Sequence, residues 1–296
     1  MTDRTFSIVD VFAQNRYAGN QLAVFRHGEL YSDELKQTLA REMNFSETTF
    51  ILSDEEKNGG YDVRIFTPAE EVPFAGHPTL GTAFILQRDV IKAPVETVDL
   101  NLPVGRIPVR FEYREGIPDR LWMTQKPPRF GESGRVEDFA PALGLEPGDF
   151  DRRFPIQEVS TGLPFIIVPL LNLDAVKRAR VRRERFFELI ADRDAKAPLL
   201  FCPETYRQAN DLNVRVFVDY YDIPEDPATG SGNGCLAGYL VEHEYFGTRK
   251  IDVRVEQGYE IGRPSLIHLK AAHTGQEIDI RVGGRVVPVA RGRLDP

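Results

Sequence analysis

DVRIFTPAEEVP (62–73) and NVRVFVDYYDIP (213–224) align without a gap at an offset of 151. Val63/Val214, Arg64/Arg215, Phe66/Phe217 and Pro73/Pro224 are identical, and Ile65/Val216, Glu71/Asp222 and Val72/Ile223 are conservative. Each copy runs into a glycine-bearing turn and an apolar stretch, FAGHPTLGTAFIL (74–86) and EDPATGSGNGCLAGYL (225–240). In the ungapped numbering Asp226 falls opposite Ala75. After a three-residue insertion Gly76 falls opposite Gly230, His77 opposite Ser231 and Ala83 opposite Ala237. A strand, a tight loop and a helix repeated half a chain apart read as two related halves that aim two helix N-termini at one cleft.

A chain of 296 residues, 42% of them hydrophobic, can bury one large core or two ordinary ones. The half-length repeat favours two lobes. The clearest composition break, QKPPRFGESG (125–134), sets their expected bounds at 1–127 and 128–296, with the last strands free to cross back to the first lobe. The net charge of -8 argues against a nucleic-acid partner, which wants a basic face. The densest basic run, KRARVRRER (177–185), reads as the solvated face of a helix over 174–192. Cys202 and Cys235 form neither a disulfide framework nor a CxxC pair, and the five histidines show no metal-ligand spacing. The N-terminus has no basic region leading into a long apolar run, and no stretch approaches membrane-spanning length. A soluble, cytoplasmic protein with no membrane partner is expected.

Along the chain, FSIVDVFA and NQLAVFRHG read as a hairpin-type opening, and Ser32 as the cap of an amphipathic helix. ETTFILSD, YDVRIFTP and the Val-rich run from 95 to 126 read as strands, as do the segments after 250. The mixture is α+β with predominantly antiparallel strands, not regular β-α alternation.

The unpaired N–H groups and positive dipole end of a helix start suit a glycine-lined turn to a carboxylate or phosphate. GHPTLGT has the glycine spacing of a P-loop but Thr82 follows Gly81 directly, with no lysine, so a nucleotide triphosphate site is rejected. Either turn alone is equally a corner joining strand to helix; both at equivalent places in a repeat favour a binding role. Pro78 at a first helical position would put His77 at or beside the N-cap. Glu47, entering an apolar strand, reads as a solvent-facing strand end or as an acid/base whose charged form burial disfavours. Glu225 and Asp226 before the second turn read as solvated acids or as polar site groups. Both cysteines read as core.

VDVFA (9–13), GNQLAV (19–24), AREMNFSETTFIL (40–52), RIFTPAEEVPFAGHPTLGTA (64–83), EDPATGSGNGCLAGYL and EQGYEIGRPS (256–265) together resemble the PhzF-like family, related to diaminopimelate epimerase. The resemblance covers most of the chain. It implies two pseudo-symmetric diaminopimelate epimerase-like lobes, each a mixed sheet or barrel wrapped around a central helix, with the active site between them. It implies that Glu47 is the catalytic carboxylate and that His77 and Asp226 act beside it. Asn20, Gly76, Gly230, Ser231 and Gly232 are the implied substrate-binding residues. The implied activity is a cofactor-independent isomerase, or a non-thiol epimerase or racemase, acting on a small carboxylate-bearing substrate as a homodimer without a metal; a fold relative that binds a carboxylate without chemistry is the alternative. Where cysteine-dependent relatives carry facing thiols, this chain has Ala75 and Thr229.

Overall fold

The computed structural model describes residues 4–221 and 223–294, so the Glu71/Asp222 pairing partly lies outside the described residues. The chain divides into two compact units, Met1–Thr124 with Gly283–Pro296, and Gln125–Val282.

In the first unit β1 (Thr5–Val11) and β2 (Asn20–Phe25) form the expected antiparallel opening. Gly19 closes the turn before β2 at φ +67°, where a Cβ would stand 2.3 Å from the Val11 carbonyl oxygen, so only glycine fits. Helix α1 (Asp33–Met43) starts at Ser32, whose Oγ accepts the Leu35 N–H, with Asp33 and Glu34 in its first turn, and ends at Asn44 in the left-handed region. Strand β3 (Glu47–Ile51) runs parallel to β2 and antiparallel to β4 (Tyr61–Phe66), which returns as the short β5 (Glu71–Val72). Helix α2 (Gly76–Ile85) follows, then β6 (Thr97–Leu102), β7 (Gly105–Arg114) and β8 (Ile117–Thr124).

Every residue of α2 is buried, because β1, β2, β3, β6, β7 and β8 pack around it. A helix apolar on all sides can only be central. Gly81 allows the approach: a Cβ there would lie 2.5 Å from Leu22 and 3.0 Å from Val11. The period of two along β3 turns Thr49 toward α2, where Thr82 Oγ1 donates to its hydroxyl at 2.8 Å, and Glu47 shares that face. Phe50 points the other way, into a cluster with Phe25, Tyr31, Leu39 and Phe66 under α1.

The second unit begins with β9 (Arg129–Gly134), α3 (Val136–Ala142), β10 (Ile156–Ser160) and β11 (Pro164–Pro169). Next come α4 (Leu173–Arg178), α5 (Arg183–Leu189), β12 (Ala197–Cys202), β13 (Leu212–Val218) and β14 (Ile223–Asp226). Helix α6 (Gly230–Glu242), β15 (Lys250–Gln257), β16 (Ser265–Thr274) and β17 (Glu277–Gly284) complete it. The final strand, β18 (Val286–Arg293), pairs with β1 in the first unit. All of α6 except Ser231 and Glu242 is buried, against β10, β11, β15 and β16.

The two sheets repeat one pairing scheme. In the first unit β18, β1, β2, β3, β4, β6 and β7 are linked in that order: antiparallel, antiparallel, parallel, antiparallel, parallel, antiparallel. In the second, β9, β10, β11, β12, β13, β15 and β16 follow the same sequence of directions. The architecture is therefore α+β, two similar mixed sheets each wrapped on a central helix.

Three sequence readings need correction. The helix expected over 174–192 is two short ones, because the backbone between them leaves the helical path. There the N–H groups of Arg180 and Arg182 bond the Leu143 and Ala142 carbonyls at the end of α3. The basic run is accordingly not one solvated helix face: Arg178 bonds Asp149 and Asp174, and Ala179 is fully buried. Pro78 is the third helical residue and His77 the second; proline is tolerated throughout a first turn, whose N–H groups have no intrahelical acceptor.

The third correction concerns the repeat register. Ile65 faces Val72 across β4 and β5, and Val216 faces Asp226 across β13 and β14. Since Ile65 and Val216 are equivalent, Asp226 corresponds to Val72 and not to Ala75. The insertion is (226 − 216) − (72 − 65) = 3 residues. It lies before the return strand, where Asp219–Tyr221 adds a short turn of helix.

Candidate active site

Glu47 opens β3 beside Leu22 of β2, with its side chain 19% exposed. His77, on the first turn of α2, is buried, and its Nε2 lies 3.5 Å from Glu47 Oε2. Burial pushes the imidazole down to about 3, against a hydrogen bond to the Gln21 backbone that pulls upward, so the ring is neutral near pH 7. The buried Nε2 makes no hydrogen bond among the described residues. Nε2 is the ring nitrogen that faces the Glu47 carboxyl. The pair can hold one transferable proton between them. Asn20 is the first residue of β2, buried, and directly precedes Gln21.

In the second unit Asp226 ends β14, and Gly230, Ser231 and Gly232 are the first three residues of α6. Thr229 is the N-cap of α6, yet its hydroxyl does not cap the helix: it donates to Asp226 Oδ2. Ala75, the N-cap of α2, has no side chain able to cap. The leading N–H groups of both helices therefore receive nothing from their caps, the condition under which a helix start accepts an anion. A Cβ on Gly232 would stand 3.2 Å from Leu199 and from Phe165, so this glycine also serves close packing.

Return strand β14 is held by a buried ion pair. Arg215 Nε and Nη2 donate to the two carboxylate oxygens of Glu225 at 3.0 and 2.6 Å, and Nη1 reaches the Val176 and Ala179 carbonyls at 3.0 Å. The first unit repeats the device: Arg64, the counterpart of Arg215, takes both oxygens of Glu71 at 2.7 and 2.6 Å. Glu225 is thus the counterpart of Glu71, and it immediately precedes Asp226.

The corrected register separates what the halves share from what they do not. Thr49 faces Ile65 and Leu199 faces Val216, so Glu47 corresponds to Ala197, each opening its strand. His77 corresponds to Ser231, and Val72 to Asp226. At these matched positions the first unit has the Glu47–His77 pair where the second has Ala197 and Ser231, and the second has Asp226 where the first has Val72. Of the sequence-derived candidates the structure joins Glu47 with His77, and Asp226 with the start of α6.

Sequence reasoning missed Gln257, whose amide bonds Thr229 and Asp226, and the Arg215–Glu225 clamp. The signal for Gln257 was its place in EQGYEIGRPS; the signal for the clamp was the Arg64/Arg215 identity. Among the described residues no group of three His, Cys, Asp or Glu is placed to hold a metal ion. None of their helices is long and apolar enough to cross a membrane.

A family profile described as phenazine biosynthesis-like protein matches residues 9–292. The chain is 31% identical to an uncharacterized isomerase of Mesorhizobium japonicum, covering 99% of each. It is 32% identical to the trans-2,3-dihydro-3-hydroxyanthranilate isomerase of Pseudomonas aeruginosa, covering 97% of this chain and 98% of that one. The fold matches the crystal structure of a Bacillus anthracis phenazine biosynthesis protein of the PhzF family with a TM-score of 0.90 at 26% identity, over 100% of both chains. The architecture is that of PhzF proteins and of the racemases that share their fold. On the family match and these full-length likenesses, the chain belongs to the phenazine biosynthesis-like (PhzF) family of isomerases.

Proposed function

We propose that this isomerase moves a proton, and with it a double bond, within a small carboxylate-bearing substrate without a cofactor, using Glu47 as its single acid/base. Glu47 takes a proton from a carbon acidified by conjugation, the electron pair moves through the conjugated system, and the same proton returns at another carbon. Atoms and charge balance with no other reactant. Neutral His77 sets Nε2 beside the carboxyl, steadying the protonated form between the two steps. Asp226 accepts a hydrogen bond from a substrate hydroxyl or amine, and the leading N–H groups of α6 take the carboxylate. A dihydro-hydroxyanthranilate, with carboxylate, amine and hydroxyl on one ring, presents those groups, and it is what the Pseudomonas relative is named for.

The observation that carries this reading is the asymmetry of the repeat. Inversion at a carbon wants proton-handling groups on opposite faces, yet the position matching Glu47 is Ala197 and the one matching His77 is Ser231. The test is turnover of trans-2,3-dihydro-3-hydroxyanthranilate in deuterium oxide by wild type and Glu47→Gln. Double-bond migration by the wild type, with a rate loss of about 10²–10⁴-fold in the variant, is expected. Full activity in Glu47→Gln removes the mechanism. Exchange with inversion at one stereocentre replaces it with an epimerase.

A further inference from the structure

We propose that Gln257 is a positioning residue that fixes the hydrogen-bonding direction of Asp226, the proposal resting on the reading of Asp226 as a substrate contact. Gln257 ends β15 and is fully buried. Its Nε2 donates to the Asp226 carbonyl at 2.8 Å and to Thr229 Oγ1 at 3.0 Å. Its Oε1 accepts the Thr229 N–H at 3.1 Å and Asn233 Nδ2 at 2.9 Å. Both amide hydrogens and both oxygen lone pairs are used, so the amide has one satisfactory orientation.

That orientation propagates. Because Thr229 Oγ1 accepts from Gln257, its own hydrogen points away from Gln257, and it is donated to Asp226 Oδ2. A hydroxyl donor held on one oxygen favours the carboxylate form of an acid. A carboxylate is what a hydroxyl or amine of the substrate needs. Gly258, at φ +76° and with a Cβ position 2.6 Å from the Pro227 carbonyl oxygen, brings this strand end against the turn.

The first unit shows that the fold does not require the cluster. Asp62 and Asn213 are equivalent and face Asn101 and Glu256, so the residue matching Gln257 is Leu102. Thr229 is matched by Ala75 and Asp226 by Val72. The same strand, turn and helix are built there with Val72, Ala75 and Leu102 in place of Asp226, Thr229 and Gln257, which ties Thr229 and Gln257 to Asp226 and not to the turn.

The test follows the Asp226 carboxyl by carbon-13 NMR in protein labelled with [γ-¹³C]aspartate, the resonance assigned with Asp226→Asn. Gln257→Leu, which installs the first unit's residue, and Thr229→Val should each raise the titration midpoint by roughly 0.5 or more, and Thr229→Ser should restore it. A purely structural role predicts a lower melting temperature with the midpoint unmoved, and that result in both folded variants overturns the proposal. If Gln257→Leu does not fold, Thr229→Val alone decides. With trans-2,3-dihydro-3-hydroxyanthranilate, Gln257→Leu should raise KM about tenfold while kcat changes less. A wild type inactive on that compound would refute the substrate reading and leave the titration result standing.

Discussion

His77 is an imidazole kept neutral by where it sits, and this has a thermodynamic consequence. Its folded value is pushed down to about 3, whereas in the unfolded chain it returns to 6.5. Between those limits the unfolded state binds a proton that the native state refuses, so stability falls as pH drops from 6.5 toward 3. At pH 5 the contribution is about 2 kcal/mol against the native state. His77→Gln removes the titration while keeping a polar side chain of similar reach. Urea unfolding from pH 7 to pH 4.5 should show the wild type losing stability more steeply than the variant by roughly that amount at pH 5. Parallel curves would mean that the ring is protonated in the folded protein and that the proton-sharing geometry with Glu47 is wrong. The candidacy of Glu47 and His77 was legible from the motifs around them; their pairing was not. The sequence separates them by thirty residues, and only the alternation of β3 and the burial of α2 turn both to the same place.

Arg215 and Glu225 act one scale up, by holding the strand that delivers Asp226. Both are nearly buried, with side chains 5% and 6% exposed, and Arg215 also takes carbonyls at the end of α4. Removing one partner strands the other's charge in the interior, which typically costs 3–5 kcal/mol, about the measured range for such breaks. Glu225→Gln should therefore lower unfolding stability by several kcal/mol, and Arg64→Met, in the more exposed first-unit clamp, by roughly 1 kcal/mol. Equal losses at the two sites, read from denaturant midpoints, would contradict this account of burial. Most elements were legible, because alternation and 3.6-residue periods are written locally; the Ser32 cap and the strands flanking each glycine turn show it. The break between α4 and α5 carries no proline or glycine, and its cause is the α3 carbonyls, which are distant in sequence. The identity of Pro73 with Pro224 also misled the register, since an insertion before the return strand shifted the true partner of Glu71 to Glu225.

Across the whole molecule the repeat is symmetric in framework and asymmetric in chemistry, and its two cysteines make the second half of that statement testable. Both are buried, Cys202 in β12 and Cys235 in α6. Burial pushes the Cys202 thiol up to about 12 and the Cys235 thiol up to about 11. At pH 8 the thiolate of Cys235 is then on the order of one part in a thousand, and the thiolate is the reactive form. The helix starts themselves carry Ala75 and Thr229, neither of which can attack or abstract as a thiolate does. Native protein treated with iodoacetamide at about pH 8 should gain no carbamidomethyl mass and keep its isomerase activity, while urea-unfolded protein labels at both positions. Cys202→Ala/Cys235→Ala should likewise retain kcat within about twofold, because the buried thiols bond the Glu204 and Leu163 carbonyls and the Thr161 hydroxyl, none of them a candidate site group. Stoichiometric inactivation by one equivalent of reagent would place a thiol in the reaction. It would point to two-base chemistry and overturn the proposal that Glu47 is the single proton carrier.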